Sequence, residues 1–308
     1  MELIRGGHNL RDRHVGCAAS IGNFDGVHRG HQAVLAELLA ASKRLGCPAV
    51  VVTFEPHPRE FFAPESAPAR LTRMRDKLCA IADLGIERVV CLPFGRRLAC
   101  MEPEGFIGDL LLRRLGVRFL MVGDDFRFGR QRRGDFAMLC RAAREHGFEL
   151  ARMPTVTESG ERISSTLVRI ALGNGDMAGA ARLIGRPYRI SGRVARGDAV
   201  GRQLGWRTAN IRFNRQKPAV RGIFTVRVTG AGEDVLPGVA SVGTRPTVGG
   251  RDTLLEVHLF DFDGDLYGRH ISVEFVEKLR EEERFDTLPA LREQIARDVE
   301  EARRRLGC

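Results

Sequence analysis

The chain has 308 residues, of which 43% are hydrophobic and 29% charged. This length predicts about two domains that each bury a core, and the composition is that of an ordinary globular protein. No apolar run is long enough to cross a bilayer and the N-terminus has no apolar signal core, so neither a membrane protein nor a secreted protein is expected. Seven cysteines, an odd number without CxxC spacing, predict reduced thiols and a cytoplasmic location.

The net charge of +10 raises the question of a nucleic-acid partner. The arginines, however, are scattered along both halves and interleaved with acids, and the densest loop cluster holds only Arg130, Arg132 and Arg133. With 6% aromatic residues there is little surface on which single-stranded bases can stack. We therefore expect a solvated, arginine-rich surface that attracts anionic nucleotides, and no nucleic-acid partner.

The first predicted strand leads into a glycine-rich turn that opens a helix. Apolar residues precede the segment 20–31, and apolar residues at helical spacing follow it. A helix start offers unpaired N–H groups and a partial positive charge, both of which suit a phosphate. Glycine permits positive φ and a close approach of a ligand to the backbone, and three residues are expected to do so here: Gly22, Gly26 and Gly30.

Two histidines at the start of that helix are candidate phosphate ligands. Because His28 and His31 are three residues apart, they share one side of the first turn and can both face the phosphate. Imidazoles donate hydrogen bonds to phosphoryl oxygens and stabilise charge as it develops. Together with Asp25 they predict a nucleotide-phosphate site; the alternative is a tight turn with incidental histidines.

Strands and helices alternate through the rest of the first half. Strands are predicted over 49–54, 88–92, 117–122 and 148–153, and helices over 71–84, 104–115 and 136–145. This alternation predicts a parallel sheet covered by helices on both faces. Such sheets bind ligands beyond the carboxyl ends of their strands.

Polar clusters follow two of these strands. In the segment 53–58 the prolines stiffen the chain around His57, and whether this histidine is a ligand or a surface turn residue stays open. The segment 123–129 has two carboxylates, an arginine and two aromatics. We expect its aromatics to hold a flat ring between them while the acids accept the N–H groups of that ring; the alternative is a solvated loop.

The segment 162–169 opens another predicted helix. Ser164, Ser165 and Thr166 would cap a helix in any protein. Near a phosphate, these hydroxyls and Arg169 would instead donate hydrogen bonds to it. The second interpretation depends on the phosphate site at the histidines.

From about residue 184 the pattern changes to short alternating strands separated by glycine turns. The predicted strands are 188–194, 222–228, 236–242, 254–260 and 271–276. They predict an antiparallel barrel, and a last helix capped by Asp286 or Thr287 packs against it through Leu291, Ile295 and Val299. We therefore divide the chain into an α/β domain, 1–183, and a β domain, 184–308.

Two stretches of the second half carry candidate chemistry. Glycines over 192–205 are spaced like a backbone nest for polyphosphate, although glycine-rich turns are common. Thr208 and Asn210 point the same way in an extended chain, and their hard oxygens suit Mg²⁺. Glu256 lies on the polar face of its strand, whereas the acids around Asp263 most simply form a hairpin turn.

With these motifs in order, the chain resembles the bacterial bifunctional riboflavin kinase/FMN adenylyltransferases, or FAD synthetases, over essentially its full length. The first half carries GNFDGVHRGH, TFEPHP, VGDDFRFG and SST-x-x-R. The second half carries G-x-V-x-x-G-x-x-x-GR-x-LG, TAN, GTRPTVGG and EVHLFDFDGDLYG.

The resemblance implies a Rossmann-like nucleotidylyltransferase domain that joins FMN to AMP from ATP. The FMN phosphate would attack the ATP α-phosphorus directly and release pyrophosphate, with Mg²⁺ present. The residues expected around the ATP phosphates are Gly22, Phe24, Asp25, Gly26 and the catalytic His28 and His31. The residues expected to complete this site are His57 near the transferring phosphate, Asp125 on the flavin or adenosine side, and Ser165, Thr166 and Arg169 on phosphates.

The second domain resembles the riboflavin kinase barrel, which phosphorylates riboflavin with ATP. Thr208 and Asn210 match the family's Mg²⁺–ATP residues, and Glu256 matches the glutamate that takes the proton of the attacking ribityl hydroxyl. The residues expected to bind the kinase ATP are Gly192, Gly197, Gly201, Arg202 and Gly205. Arg207 replaces the family's usual proline, which leaves the Mg²⁺ loop more entropy to lose on binding.

Two other functions stay open. An adenylyltransferase with a single activity, whose barrel is a flavin-binding or structural module, is favoured by Arg207. A nucleic-acid-binding or regulatory flavin-binding protein is indicated by the positive charge alone. The expected partners are ATP and small-molecule flavins (riboflavin, FMN and FAD), with neither nucleic acid nor membrane, and the sequence predicts no oligomeric state.

Overall fold

A computed structural model describes residues 1–123, 125–153, 155–196, 205–213, 217–247 and 250–308 of the chain. The chain divides into two compact units. The first comprises Met1–Pro68 and Lys77–Ile163, and the second Ala69–Asp76 and Ser164–Cys308. The second unit thus takes in a short segment from the first third of the sequence, and a boundary near residue 183 stays a prediction.

Six parallel strands form the sheet of the first unit. They are β1 (Glu2–Arg5), β2 (Cys17–Ile21), β3 (Ala49–Glu55), β4 (Arg88–Pro93), β5 (Val117–Val122) and β6 (Glu149–Arg152). Their order is β1-β4-β3-β2-β5-β6 and each pair is parallel, which confirms the predicted sheet. The chain leaves β2 towards β3 on one side and later adds β5 on the other, so the strand order reverses at β2. Ligand sites occur at such a switch point.

Helices cover both faces of this sheet. They are α1 (Arg29–Leu45), α2 (Pro58–Phe62), α3 (Met74–Asp83), α4 (Arg96–Ala99), α5 (Pro103–Gly105), a π-helical segment (Phe106–Arg114) and α6 (Phe136–His146). Short 3₁₀ turns lie at Gly7–Asn9, Asp12–His14, Pro64–Ser66 and Arg130–Arg132, and a hairpin comprises β7 (Thr157–Glu158) and β8 (Glu161–Arg162). The helix predicted over 104–115 is confirmed, since helical structure runs without a break from Pro103 to Arg114, most of it as the π-helical segment.

The buried strands contribute to two separate hydrophobic cores. Ala19 and Ile21 of β2 pack in the core that includes the π-helical segment, whereas Ala18 packs with α1 in the other. Successive side chains of a strand point to opposite faces, so a strand covered on both sides is buried at every position and mostly apolar. All five residues of β2 are buried, as this requires.

The second unit contains an antiparallel sheet that curls towards a barrel, which confirms the predicted fold class. Its strands are β9 (Arg189–Arg193), β10 (Ala209–Arg212), β11 (Gly222–Thr229), β12 (Leu236–Thr247), β13 (Gly250–Leu259) and β14 (His270–Arg280). The order is β10-β13-β12-β11-β14-β9. Just beyond β9, Ala195 pairs with Asn210 of β10, with an N–O distance of 2.8 Å, so the two edges of the sheet meet there.

The helices described in the second unit, apart from the start of α3, are α7 (Ser165–Gly173), α8 (Met177–Ile184) and α9 (Leu288–Leu306). Thr287 caps α9 by accepting a hydrogen bond of 3.3 Å from the Ala290 N–H. Val299 packs against the barrel, whereas Leu291 and Ile295 line a cavity between α9 and the strands. Among the described residues, no helix combines the length and the apolar character needed to span a bilayer.

Candidate active sites

The turn after β2 has a strained backbone. Gly26 adopts a φ of 88°, and the two buried residues beside it, Phe24 and Val27, adopt φ values of 47° and 42°. Positive φ is disfavoured for a β-branched residue, so the surrounding packing must hold this turn in place. Strain of this kind is common where a backbone is shaped around a ligand.

Gly22 and Gly30 do not use the positive φ that glycine permits, whereas Gly26 does. They leave room for aromatic rings instead. A Cβ on Gly22 would lie 3.1 Å from the Phe24 ring, and one on Gly30 would lie 3.1 Å from Nδ1 of His28. A side chain at either position would therefore have to displace a neighbouring ring by a few tenths of an ångström.

The two histidines lie together at the start of α1. His28 is the N-cap, and its Nδ1 accepts a hydrogen bond of 3.3 Å from the His31 N–H. Its neutral ring therefore carries the proton on Nε2. The two rings stack with centroids 3.7 Å apart and an interplanar angle of 19°.

Burial lowers the pKa of His31 well below 6.5, and repulsion from His28 in its protonated form and from Lys77 lowers it further. His31 is therefore neutral near pH 7. Two buried side-chain atoms here, Nδ1 of His31 and Oδ1 of Asn23, make no hydrogen bond within the described parts of the chain. Buried polar atoms are normally paired, so a ligand that completes them fits this turn.

Lys77 is a member of this site that the sequence did not reveal. It is only 1% exposed, and its Nζ donates a hydrogen bond of 2.8 Å to the Asn23 carbonyl. Thr53 donates to the same carbonyl at 3.2 Å. The sequence feature that could have indicated its burial is its spacing: Lys77 lies four residues before the buried Ile81, on the inward face of α3, where charged residues are rare.

His57 follows β3, the strand next to β2. It caps α2, because its Nδ1 accepts a hydrogen bond of 3.1 Å from the Arg59 N–H while the Glu60 carboxylate accepts one of 3.1 Å from the His57 N–H. The neutral ring again carries its proton on Nε2. Since parallel neighbours end at the same edge, His57 and the histidine pair belong to one edge of the sheet.

An aromatic cluster, also missed from the sequence, lies at the ends of β3 and β4. Phe54, Phe61 and Phe62 surround Phe94 with ring centroids 5.6–5.8 Å from its own. Phe61 and Phe62 are 40% and 64% exposed, which is unusual for such large apolar side chains. Exposed rings of this kind offer a stacking surface for a flat ligand.

The aromatic slot predicted in 123–129 is wrong. Phe126 and Phe128 stack on each other with centroids 5.6 Å apart, and Phe128 is buried in the core against Phe106. A ring held between two others needs them about 7 Å apart, twice a stacking distance. Asp125 is exposed on this loop, and Asp124 lies outside the described residues.

The serines of 162–169 cap a helix, as one of the two interpretations predicts. Ser164 Oγ accepts a hydrogen bond of 3.2 Å from the Leu167 N–H at the start of α7. Ser165 and Thr166 form the first turn, and Arg169 Nε donates a hydrogen bond of 2.6 Å to the Ala69 carbonyl. These residues belong to the second unit, and their phosphate role stays a prediction.

The predicted kinase residues meet on neighbouring strands of the barrel. Asn210 of β10 lies directly opposite Glu256 of β13, which in turn lies opposite Ser241 of β12. Side chains of such cross-strand pairs share a face, with Cβ atoms about 5 Å apart. Asn210 is 6% exposed, and its Oδ1 makes no hydrogen bond within the described residues.

Two cavities adjoin these strands, and Thr208 lines both. One, of about 250 Å³, extends from Asn210 to the hairpin of Asp263. The other, of about 200 Å³, lies beside Glu256 and under α9. Further residues that line the second cavity are Trp206, Ser241, His258, Arg280, Glu282, Phe285, Leu291, Ile295 and Asp298.

Arg207, which replaces the family's proline, is fixed at the first cavity by two contacts. Its guanidinium forms an ion pair with Asp263, and its carbonyl accepts a hydrogen bond of 2.9 Å from Nδ1 of His258. These contacts restrict the residue before Thr208, which is what the proline ring would otherwise do.

Glu282 places a second carboxylate near Glu256. Burial raises the pKa of Glu282, and the charges of Glu281 and Glu256 add to this rise while Arg221 opposes it. Glu282 was not identifiable from the sequence, because its position depends on how the end of β14 meets the cavity.

The glycine loop predicted for the kinase ATP is described only at its ends. Gly192 lies within β9, where a Cβ would clash with the guanidinium of Arg73. Gly205 adopts a φ of 97°. Gly197, Gly201 and Arg202 lie outside the described residues.

Comparison with known proteins identifies both halves of the chain. A family model for FAD synthetase matches residues 10–167, and one for riboflavin kinase matches residues 184–306. The bifunctional riboflavin kinase/FMN adenylyltransferase of Escherichia coli K12 is 51% identical over 308 residues, 100% of this chain and 98% of the relative. The enzyme of that name from Pseudomonas fluorescens is 51% identical over 98% of this chain and 97% of the relative.

A solved structure also covers both units. A crystal structure described as a macrolide-efflux protein from Streptococcus pneumoniae superposes with a TM-score of 0.78 over 97% of each chain, at 25% identity. The fold is therefore shared, and the description belongs to that protein alone. The family models and the full-length relatives establish that this chain belongs to the bifunctional riboflavin kinase/FMN adenylyltransferases, which phosphorylate riboflavin to FMN and adenylylate FMN to FAD.

Proposed function

We propose that the turn after β2 binds the ATP phosphates of the adenylyltransferase, lined by Gly22, Phe24, Asp25 and Gly26. His28 and His31 would stabilise the charge that develops at the α-phosphorus. Support comes from the stacked rings and from the N–H that the His28 tautomer places on Nε2. It also comes from Nδ1 of His31, which has no hydrogen-bond partner in the part of the chain that the structure describes. Oriented donors in a buried site need little reorganisation during the reaction.

In this proposal the FMN phosphate oxygen attacks the α-phosphorus and pyrophosphate leaves, with no covalent enzyme intermediate. Such a transfer mainly requires alignment and charge stabilisation. His57 would donate from Nε2 near the transferring phosphate, and the exposed rings of Phe61 and Phe62 would support the isoalloxazine. The roles of Asp125, Ser165, Thr166 and Arg169 remain those that the family resemblance predicts.

For the kinase, we propose that Glu256 takes the proton of the ribityl hydroxyl as that oxygen attacks the ATP γ-phosphorus. The observation that carries this assignment is the strand register, which sets Glu256 opposite Asn210. Glu256 lies beside one cavity, and Thr208 lines both that cavity and the neighbouring one. Riboflavin would lie in the cavity beside Glu256, against Trp206 and Phe285. ATP would lie in the other cavity, with its phosphates towards Thr208.

Thr208 and Asn210 would hold Mg²⁺. The buried Oδ1 of Asn210, which has no partner among the described residues, fits this assignment, since Mg²⁺ binds one or two protein oxygens together with phosphate oxygens and water. When bound, the ion neutralises charge on the phosphates. The cytoplasmic location stays a prediction that rests on cysteine usage.

The kinase assignment is tested by the variant Asn210→Ala. We expect the Mg²⁺ concentration for half-maximal FMN formation to rise about tenfold or more, while FAD formation from FMN stays within twofold. The control is Asn174→Ala, which removes an exposed amide at the end of α7. An unchanged Mg²⁺ dependence would contradict the ligand role. Absence of FMN formation from riboflavin by the unmodified protein would instead support an adenylyltransferase with a single activity.

A further inference from the structure

The barrel of the second unit has a seam between its two edge strands. β9 and β10 end the order β10-β13-β12-β11-β14-β9, and the described residues join them by one backbone bridge, Ala195 to Asn210. Edge strands leave carbonyl and N–H groups unpaired along their free sides. The position of β10 across this seam therefore depends on other contacts.

Arg73 spans this seam. Its Nη1 donates a hydrogen bond of 3.0 Å to the Ser191 carbonyl of β9, and its Nη2 donates one to the Arg212 carbonyl of β10. The guanidinium packs over the Phe213 ring at 5.1 Å, and the missing Cβ of Gly192 leaves the space that it occupies. A planar guanidinium with several N–H donors can bridge two carbonyls in this way, whereas a lysine ammonium is a single point charge.

The segment that carries Arg73 is itself attached to the barrel. The Asp76 carboxylate accepts hydrogen bonds from the Ser191 hydroxyl and, at 3.4 Å, from the Ser191 N–H. The Arg70 N–H donates one of 2.9 Å to the Lys217 carbonyl. The segment is therefore attached to the barrel on both sides of Arg73, so the guanidinium of Arg73 has a defined position.

We propose that Arg73 is a positioning residue for the riboflavin kinase reaction. By holding the Arg212 carbonyl, it fixes the short strand β10 across the seam from β9, and β10 carries Asn210 opposite Glu256. Arg73 contacts none of the proposed reacting groups and acts through the backbone of β10. The proposal rests on the nucleotide role of Thr208 and Asn210 given above.

The position of Arg73 in the chain makes this assignment unexpected. It lies within residues 10–167, the part matched by the FAD synthetase model, although its contacts here are with the barrel. The residues 184–306 matched as riboflavin kinase do not include it. A kinase domain defined by that match alone therefore lacks a side chain that spans its seam.

The test compares Arg73→Met, which keeps an apolar stem but removes all N–H donors, with Arg73→Lys in the intact chain. We expect Arg73→Met to raise the kinase KM for Mg·ATP about tenfold, because two hydrogen bonds from a charged group are lost. Its KM for riboflavin and its FAD formation from FMN should stay within twofold. Arg73→Lys should lie between the wild type and Arg73→Met.

Arg75→Met is the matched control, because it removes an exposed charge from the same segment. Circular dichroism and the fluorescence of Trp206 establish whether each variant is folded. If Arg73→Met does not fold, Arg73→Lys alone is compared with the wild type. A KM for Mg·ATP within twofold of the wild type would overturn the proposal, and so would equal rises in both KM values. Asn210→Ala, measured alongside, reports separately on the proposed metal role.

Discussion

At the scale of single residues, Glu256 offers the sharpest test of the proposed kinase chemistry. The residue lies on a rigid strand opposite Asn210, and its carboxylate is the proposed proton acceptor. Glu256→Gln keeps the size of the side chain but removes its basicity, so kinase turnover should fall by about 100-fold or more. FAD formation from FMN should be unchanged, and the two rates are measured separately by chromatography of the flavins.

The control for this change is Glu233→Gln, the same substitution on an exposed loop. It should alter neither activity. If Glu256→Gln reduced both activities equally, the variant would be misfolded and the loss would not be chemical. If kinase turnover stayed within threefold of the wild type, Glu256 would not be the base.

A second prediction concerns the stability of the first unit against acid. Burial holds the pKa of His31 well below 6.5, so the folded state keeps this ring neutral while the unfolded state binds a proton as the pH falls below 6.5. Because the unfolded state then binds more protons, the free energy of unfolding decreases as the pH falls. The stability that depends on a neutral His31 is fully present above pH 6.5 and is lost as the pH falls towards the folded pKa. Between pH 7.5 and 5.5 the loss should be about 1 kcal/mol.

The measurement compares urea unfolding of the wild type and of His31→Gln at these two pH values. His31→Gln should lose less stability on acidification, because the titrating ring is absent. His8→Gln, the same change at an exposed histidine, should behave like the wild type. Equal losses in the wild type and in His31→Gln would show that the ring is not kept neutral by burial.

The sequence indicated where individual candidate residues lie better than it indicated what surrounds them. His28 and His31 were identifiable because their spacing and the glycines around them are local features, and local features set the first turn of a helix. Lys77 was not identifiable as a site residue, since its burial depends on the turn after β2, more than fifty residues earlier. Phe126 and Phe128 were misread because nothing local distinguishes rings that bind a ligand from rings that fill a core.

At the scale of elements, helix α9 is attached to the barrel by a nearly buried ion pair. Arg280 of β14 donates hydrogen bonds of 2.8 and 2.6 Å to the Asp298 carboxylate, which also accepts one of 3.0 Å from Gln294. The side chains of the pair are 19% and 9% exposed. Removing one partner of such a pair leaves the other charge unpaired and costs about 3 kcal/mol.

Asp298→Ala should therefore lower the free energy of unfolding of the second unit by about 3 kcal/mol. Trp206, the only tryptophan of the chain, lines the same cavity as Asp298, so its fluorescence in urea reports this transition. Glu293→Ala removes an exposed partner of Arg297 on the same helix and should cost at most about 0.5 kcal/mol. Equal costs for the two variants would contradict the structural role of the Arg280–Asp298 pair.

Strands were predicted where side-chain alternation marked them and missed where pairing alone defines them. β5 has the bounds that its apolar run predicts, 117–122. β12 and β13 extend beyond the predicted strands because backbone pairing continues to Thr247 and Gly250 after the apolar alternation has ended. β1 and β10, at four residues each, were not predicted, although β6, which is equally short, was.

At the scale of the whole molecule, the sequence order and the spatial grouping differ. The change from helical to strand periodicity near residue 184 is visible in the sequence, yet the second unit also includes Ala69–Asp76 and α7. The contacts responsible, such as Arg73 with β9 and β10, join residues more than a hundred positions apart. No local pattern encodes such contacts, so the sequence could not predict this grouping.

The two candidate sets of reacting groups lie in different units, and this predicts that the activities can be separated and recombined. His28→Asn keeps an N-cap acceptor for α1 but removes the imidazole, so it should abolish most FAD formation and leave the kinase intact. Glu256→Gln should do the reverse.

With riboflavin and Mg·ATP, the His28→Asn variant alone should accumulate FMN and the Glu256→Gln variant alone should form little product. An equimolar mixture should form FAD after a lag, because FMN released by one variant is the substrate of the other. Flavins are followed by chromatography over time, and a mixture that forms no FAD, although each variant keeps its own activity, would show that FMN does not pass through solution.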